Sequence, residues 1–393
     1  MHKLLQINVT SNWGSTGKIA ESIGTAALRN GWDSYIAYGR MNNLSKSHMI
    51  QIGSNVNTYS HFVYDRLLDK EGLGSKIATK KLVEKIKRLK PDVVQLHNIH
   101  DHFLNYQILF EYLNKTDIKI FWTFHDCWAI TGHCYHFVEF DCMKWQSECC
   151  NCPDRYFFID RSRKNFLLKK QLFSSNKNLT IVSCSNWMRN IIKQSFLKKK
   201  RVQVIHNGID LSIFKPQFGL KKSDGKFHII AVSNVWQAYK GMYDIFKIRE
   251  LLADDFEITM VGLSAEQINK LPDGIRGIQK TQNIQQLVEL YNKADVLINP
   301  TYADTFPTVN LEALACGTPV ISYLTCGSPE AIDEKTGVVV EQGSVIGLIN
   351  AILDMRVNPL SPEDCRMRAV KYFNKDKCFD EYIHLYEEAL YRK

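Results

Sequence analysis

Short apolar runs alternate with stretches of helix-spaced apolar residues along the whole chain. The first run, Leu4 to Val9, ends in a polar loop containing Gly14. From Gly17 onward Ile19, Ala20, Ile23, Ala26, Ala27 and Leu28 recur at helical spacing, so the opening reads strand, glycine loop, helix. Further strands are predicted at Tyr35–Tyr38, Val93–Leu96, Ile118–Phe124, Leu179–Ser183 and Val202–Ile205, with helices over 76–90, 105–115, 161–175 and 186–196. That order predicts a parallel sheet covered on both faces. The alternation then restarts. Strands are predicted at His228–Val232, Phe256–Val261, Val296–Asn299, Pro319–Ser322 and Val338–Val340, and helices over 241–252, 284–293, 309–315 and 345–356. The polar segment Lys215–Lys226, with Pro216, Gly219 and Gly225, reads as a linker between the two arrays. Tyr372, Phe373, Phe379, Tyr382, Leu385, Tyr386 and Leu390 place a final amphipathic helix over the last 22 residues.

A length of 393 residues is ample for two domains. No run approaches the ~18 apolar residues of a membrane span. Met1–Leu5 passes directly into Asn8 and Thr10, which is unlike a signal peptide, so the expected location is the cytoplasm. The formal net charge of +9 is unevenly spread. Residues 1–205 carry 30 Lys and Arg against 16 Asp and Glu, and residues 206–393 carry 20 against 25. Much of the excess lies at Lys80, Lys81, Lys85, Lys87, Arg88 and Lys90 and at Lys198–Arg201. Few aromatic residues interleave with these runs, as base stacking would need. The basic half therefore points to an anionic membrane or a phosphate group rather than to nucleic acid, alongside the plainer reading of a solvated basic face.

Gly14-Ser15-Thr16-Gly17-Lys18 looks like part of a phosphate-binding P-loop but departs from the pattern. Asn12 stands where the first glycine belongs, and Ile19 follows the lysine instead of Ser or Thr. An ATPase is therefore disfavoured. A glycine loop at a helix start can still admit an anionic ligand, or can be a tight βα turn.

The segment Asn299–Glu330 carries more chemistry. Asp304 follows a predicted strand, and Phe306-Pro307-Thr308 turns into a helix that carries Glu312. Ligands of open α/β sheets bind beyond the carboxyl ends of strands. The N–H groups of Thr308 and Val309 can hold a diphosphate at such a helix start. Glu312 can accept hydrogen bonds from a ribose diol, and Asp304 can reach the hydroxyls of an attached sugar. An ordinary βα unit with an exposed glutamate has the same periodicity.

Asp304 and Glu312, separated by seven residues and leading into Glu312-Ala313-Leu314-Ala315-Cys316-Gly317-Thr318-Pro319-Val320, resemble the donor motif of the retaining glycosyltransferases of family 4. Other segments resemble the family in the same order. They are His125-Asp126, Ser185-Asn186-Trp187, His206-Asn207-Gly208-Ile209-Asp210, Lys240-Gly241, and Gln282-Asn283 to Asp295. The likeness to bacterial capsule and exopolysaccharide enzymes adds Leu96-His97-Asn98-Ile99-His100 and His125-Asp126-Cys127-Trp128. There are two departures. The family usually has Glu where Asp304 stands, and its arginine before the Lys-Gly pair is absent from Ser233-Asn234-Val235-Trp236.

The resemblance implies the GT-B fold, two Rossmann-like domains facing a cleft. Residues 1–205 would bind acceptor and 206–371 donor, with a helix over 372–393 returning to the first domain. It implies a metal-independent front-face transfer of a hexosyl or related sugar from a UDP- or GDP-sugar to a lipid-linked glycan. His125 and Asp304 would act at the reacting centre. Gly14, Gly17, Lys240, Gln282, Asn283, Phe306, Pro307, Thr308, Val309 and Glu312 would hold the donor, and Trp13, His97 and Asn98 would face the acceptor. Other readings are a nucleotide-sugar epimerase of the same fold and a non-catalytic basic binding protein, which would leave Asp304 and Glu312 without a task.

Six of the 11 cysteines fall between 127 and 152. Cys134, Cys142, Cys149 and Cys152 could hold a structural Zn²⁺, with His133, His136 and Cys150 as substitutes. Reduced thiols packing an insertion over 127–156, and disulfides, are the other readings.

Overall fold

The computed structural model describes residues 1–154, 159–217, 219 and 225–392. Half of the Lys215–Lys226 linker and the end of the 127–156 insertion lie outside the described residues. The chain divides into two compact units, Met1–His206 with Phe379–Lys393, and Asn207–Cys378.

The first unit contains β1 (Lys3–Asn8), α1 (Gly14–Arg29), β2 (Asp33–Tyr38), β3 (His48–Gln51), α2 (Asn55–Leu68), α3 (Lys76–Leu89), β4 (Val93–Leu96), α4 (Tyr106–Leu113), β5 (Lys119–Phe124), α5 (Ser162–Ser175), β6 (Leu179–Ser183), α6 (Asn186–Gln194) and β7 (Arg201–Val204). Its seven strands are ordered β3-β2-β1-β4-β5-β6-β7, all parallel. Neighbouring strand residues serve opposite faces, which explains the unbroken apolar runs. Leu5, Val94 and Trp122 join one core with Ile86, Phe110 and Phe173. Leu4, Val93 and Phe121 join the other with Ile19 and Ile23.

The second unit contains β8 (Phe227–Val232), α7 (Met242–Leu251), β9 (Phe256–Val261), α8 (Ala265–Ile268), β10 (Ile275–Ile278), α9 (Ile284–Lys293), β11 (Val296–Asn299), α10 (Thr308–Cys316), β12 (Val320–Tyr323), β13 (Gly337–Val340), α11 (Val345–Val357) and α12 (Pro362–Tyr372). Its six parallel strands run β10-β9-β8-β11-β12-β13. Ile229, Ile258, Ile298 and Ile321 pack against Ile245, Ile248, Leu348 and Ile352.

The last helix, α13 (Lys375–Tyr391), belongs to the first unit from Phe379 onward. Tyr382 and Tyr386 are buried there. The Tyr386 hydroxyl donates to Gln95 Oε1 at 2.8 Å, and the Tyr382 and Thr123 hydroxyls lie 3.1 Å apart. Each buried ring contributes roughly 1.5–3 kcal/mol. No described helix is long and apolar enough to cross a membrane.

Two edge strands, β3 and β10, were not predicted from the pattern. β10 contains Arg276 and Gly277, and a side chain at Gly277 would lie 2.5 Å from Leu271 Cδ1. α2 was also missed, because much of its apolar face is exposed.

Candidate active site

Each sheet reverses its strand order at one point, between β1 and β4 in the first unit and between β8 and β11 in the second. Loops diverge there and leave a crevice beyond the strand ends. Most candidate residues lie in or just after the loops that follow these strands, whereas Gln282 and Asn283 follow the edge strand β10.

In the second unit, the loops after β8 and β11 are joined by the Lys240 Nζ–Asp304 Oδ2 ion pair at 2.8 Å. Gly241 makes the approach possible. Its φ is +76°, and a Cβ there would lie 2.1 Å from the Pro300 carbonyl oxygen. Tyr302 N–H also donates to the Tyr239 carbonyl at 2.7 Å. Asp304 Oδ1 accepts from Phe306 N–H at 3.2 Å, which shapes the turn. Phe306 and Pro307 are buried, and Asn207 Nδ2 donates to the Phe306 carbonyl. α10 then begins at Thr308 without a side-chain cap, since Pro307 has no donor or acceptor side chain. The first-turn N–H groups of such a helix point outward with a partial positive charge.

One turn into α10, Glu312 Oε2 accepts the Tyr291 hydroxyl at 2.8 Å. Burial, then the Glu312 carboxylate, pushes the Tyr291 phenol well above its ordinary range, so it stays a donor. Deeper down, Asn310 links β11 to β12. Asn299 Nδ2 donates to Asn310 Oδ1 at 2.9 Å, and Asn310 Nδ2 donates to Ser328 Oγ at 3.2 Å. Ser328 and Ser322 hydroxyls are 2.8 Å apart. This buried network fixes the helix start that a ligand would meet.

Gln282 and Asn283 open α9. Asn283 Oδ1 accepts Gln286 N–H at 2.9 Å as its cap, and Gln282 N–H donates to Gln286 Oε1. Where the family arginine is missing, Trp236 is buried and donates to the Val261 carbonyl at 2.9 Å.

In the first unit, β1 ends at Asn8, whose Oδ1 accepts Asn98 N–H at 3.2 Å and so ties the loops after β1 and β4. Trp13 is 45% exposed immediately before α1. Gly14 has φ +66° and open space around it. Gly17 is buried, and a Cβ there would lie 2.7 Å from Thr10 Oγ1, so its task is to let α1 approach the loop.

His97 and His125 form an ordered chain. Gln6 Nε2 donates to the Ala20 carbonyl, which turns Gln6 Oε1 toward His97 Nε2 at 3.0 Å. His97 Nε2 must therefore carry the proton, and His97 Nδ1 accepts from His125 Nε2 at 3.1 Å. Burial, then His125, holds His97 well below the usual histidine range. Burial also takes His125 down to about 4 despite the adjacent Asp126. Both rings are neutral near pH 7.

Asp126 and His100 behave in the opposite way. His100 Nε2 lies 2.8 Å from Asp126 Oδ2, and Asp126 Oδ1 accepts Trp128 N–H. Burial opposes both charges. Asp126, with Asp101 and Glu71 behind it, nevertheless raises His100 to about 9, and His100 with His136 lowers Asp126 to about 2. Glu71, His100 and Asp101 bring their ligand atoms within 4.8 Å of one another. Glu71 is held by Trp128 Nε1 at 2.8 Å and by the Tyr135 hydroxyl.

These shifts set a pH window. The raised His100 contributes stability that is complete below ~6.5 and is lost as pH rises through about 9. The depressed Asp126 contributes stability present above ~3.9 and lost as pH falls toward about 2. His125 must gain a proton on unfolding, so it too destabilises the fold from pH ~6.5 downward. Thermal unfolding followed against pH should therefore show an alkaline decline between about 7 and 9 that His100→Gln flattens. An unchanged alkaline slope in that variant would exclude the pair as its source.

Cys134, Cys142, Cys149 and Cys152 line one pocket together with Cys150. All 11 cysteines are free thiols, so the disulfide reading finds no support.

Sequence comparison agrees with this geometry. The family described as Glycosyltransferase Family 4 matches residues 19–213, and the family described as Glycosyl transferases group 1 matches residues 226–358. The chain is a family-4-like glycosyltransferase. Escherichia coli WcaC, named for colanic acid biosynthesis as a glycosyl transferase, is 24% identical over 98% of this chain and 99% of its own. The sucrose-phosphate synthase of Thermosynechococcus elongatus superposes with a TM-score of 0.76 at 17% identity, covering 99% of both chains. Anabaena Alr3699/HepE, solved with UDP-glucose, superposes with a TM-score of 0.66 at 12% identity, over 99% of this chain and 100% of that one. The fold of this glycosyltransferase is GT-B.

Proposed function

We propose that the protein transfers a hexosyl or related sugar from a nucleoside-diphosphate sugar to a lipid-linked glycan at an anionic membrane surface, with retention of anomeric configuration. The observation that carries this reading is the uncapped start of α10, set between the Lys240–Asp304 pair and the Tyr291-held Glu312. The positive helix end and Lys240 suit a diphosphate, Glu312 a ribose diol, and Asp304 a sugar hydroxyl. UDP is the first nucleotide to test, because HepE is solved with UDP-glucose.

In the transfer, the bond from the sugar C1 to the diphosphate oxygen breaks. The acceptor oxygen bonds to C1 from the same face, and its proton passes to the departing phosphate. Lys240 and the α10 N–H groups stabilise the charge gathering on the diphosphate. Neutral His125, fixed through His97 and Gln6, orients a sugar hydroxyl. Purified protein should gain thermal stability with a UDP- or GDP-sugar and yield a product with the donor's anomeric configuration. An inverted product would refute retention, and an epimerised donor without transfer would favour the epimerase reading.

The membrane part rests on α2 and α3. Val56, Tyr59, Val63 and Leu67 lie at helical spacing and are exposed, with Phe62 beside them. α3 presents exposed Lys76, Lys80, Lys81, Lys85, Lys87 and Arg88. An apolar helical face with basic surroundings suits an anionic bilayer. A Tyr59→Ser, Leu67→Ser double variant should bind anionic vesicles about tenfold more weakly or worse, since each apolar side chain withdrawn forfeits up to roughly 1.5–3 kcal/mol. It should bind nucleotide sugar as before. Equal vesicle flotation of variant and parent would exclude α2 as the contact.

A further inference from the structure

We propose that the segment following Asp126 is built around a structural Zn²⁺ held by the thiolates of Cys134, Cys142, Cys149 and Cys152. Between Cys127 and Asp154 the chain has no α-helix or strand, only short 3₁₀ turns at Trp128–Ile130, Phe137–Phe140 and Lys144–Gln146. Irregular segments of this length hold a fixed shape only with a cross-link or a tight core. The thiols of this segment are unbonded to one another, and five of them, Cys150 included, line one pocket, with Cys149 and Cys152 as a C-x₂-C pair.

The pocket wall is lined with donors that lack acceptors. Trp145 is 1% exposed, and its indole N–H has no partner among the described residues. The Ser162 hydroxyl, in a residue also 1% exposed, has none either. Both residues line the pocket. An orphaned buried donor costs about 1–3 kcal/mol, and two beside neutral thiols would be a standing penalty. Gly132 N–H already donates to Cys149 Sγ at 3.2 Å. Gly132 sits so close to α5 that a Cβ would lie 2.2 Å from the Ser162 carbonyl oxygen.

Charge points the same way. Lys169 is 1% exposed, with Nζ 2.7 Å from the Trp128 carbonyl, 3.3 Å from that of Thr131 and 3.5 Å from the Trp128 ring centroid. No carboxylate pairs with it directly among the described residues. Zn²⁺ displaces four thiol protons and leaves a tetrathiolate site of net charge −2. That charge supplies an anion for Lys169 and acceptors for the Trp145 and Ser162 donors. Thiolate ligands select zinc over hard cations. Cys150 follows Cys149 directly and is not needed to complete the four.

The metal would fix the wall that carries the His100–Asp126 pair. Cys127 N–H donates to the Tyr135 carbonyl at 2.8 Å, Thr131 Oγ1 donates to the Cys134 carbonyl at 2.6 Å, and Tyr135 reaches Glu71.

The test is the metal content of the full chain, purified without chelator or affinity metal. About one zinc per chain is expected, with Cys149→Ser and Cys152→Ser losing it and Cys150→Ser keeping it. Should the Ser variants fail to fold, growth in cobalt should give the parent protein the intense visible bands of a tetrahedral thiolate site. Zinc below about one-tenth per chain with no cobalt spectrum would overturn the proposal, as would iron in its place. The readout is independent of sugar transfer, so failure of that reading would leave it standing.

Discussion

Glu312→Gln should weaken nucleotide-sugar binding about 10- to 150-fold, the loss expected when a charged acceptor worth roughly 1.5–3 kcal/mol becomes neutral. Calorimetric titration with a UDP-sugar is the measurement. Gln is preferable to Ala here because Tyr291 donates its hydroxyl to Glu312 at 2.8 Å. Truncation would leave that buried hydroxyl unpaired and cost about 1–3 kcal/mol of stability, mixing folding with binding. Gln keeps an acceptor, so the unfolding temperature should hold while affinity falls. Affinity within about threefold of the parent, well under the ~1.4 kcal/mol of a tenfold change, would remove Glu312 from the nucleotide site.

Lys240→Met should lower kcat about 10²- to 10³-fold, the usual effect of removing one preorganised group that stabilises transition-state charge. Stability should barely respond. The Lys240–Asp304 pair is short, but its side chains are 21% and 23% exposed, and such partly solvated pairs contribute only about 0–1 kcal/mol. A large fall in turnover with a small change in unfolding temperature thus separates a catalytic cation from a structural one. Turnover within a few-fold of the parent would mean that the diphosphate charge is met elsewhere. The missing arginine strengthens this expectation, because Trp236 in that stretch faces the core and carries no charge.

Much of the fold could be read from periodicity because both sheets are buried on both sides. β4, β6, β9 and β11 coincide with apolar runs bounded by polar or turn residues. The elements that escaped include one whose apolar face is turned outward and short edge strands that present only one or two residues to a core. α2 spends Val56, Tyr59, Val63 and Leu67 on solvent, and β3 is an edge strand of four residues. The acidic motif was legible because its parts lie close in sequence: Asp304 accepts from Phe306 N–H in the turn, and Glu312 follows in the helix that begins at Thr308.

What orders those residues was not legible, since it comes from distant parts of the chain. Tyr291 lies 21 residues from Glu312, and Gln6 lies 91 from His97. Lys169 reads as an ordinary surface lysine on an amphipathic helix, yet it is buried against Trp128. Nothing in spacing announces Glu71, which gathers Trp128 and Tyr135 from the segment after β5 and the Asp101 backbone from the loop after β4. Asn283, assigned to the donor by resemblance, is engaged in capping α9.

The most direct measurement is a crystal structure of the protein soaked with a UDP-sugar or UDP. Diphosphate oxygens should lie within hydrogen-bonding distance of the Thr308 and Val309 N–H groups, with the ribose hydroxyls on Glu312. A nucleotide bound instead at the Gly14 loop, or nowhere near the start of α10, would contradict the account.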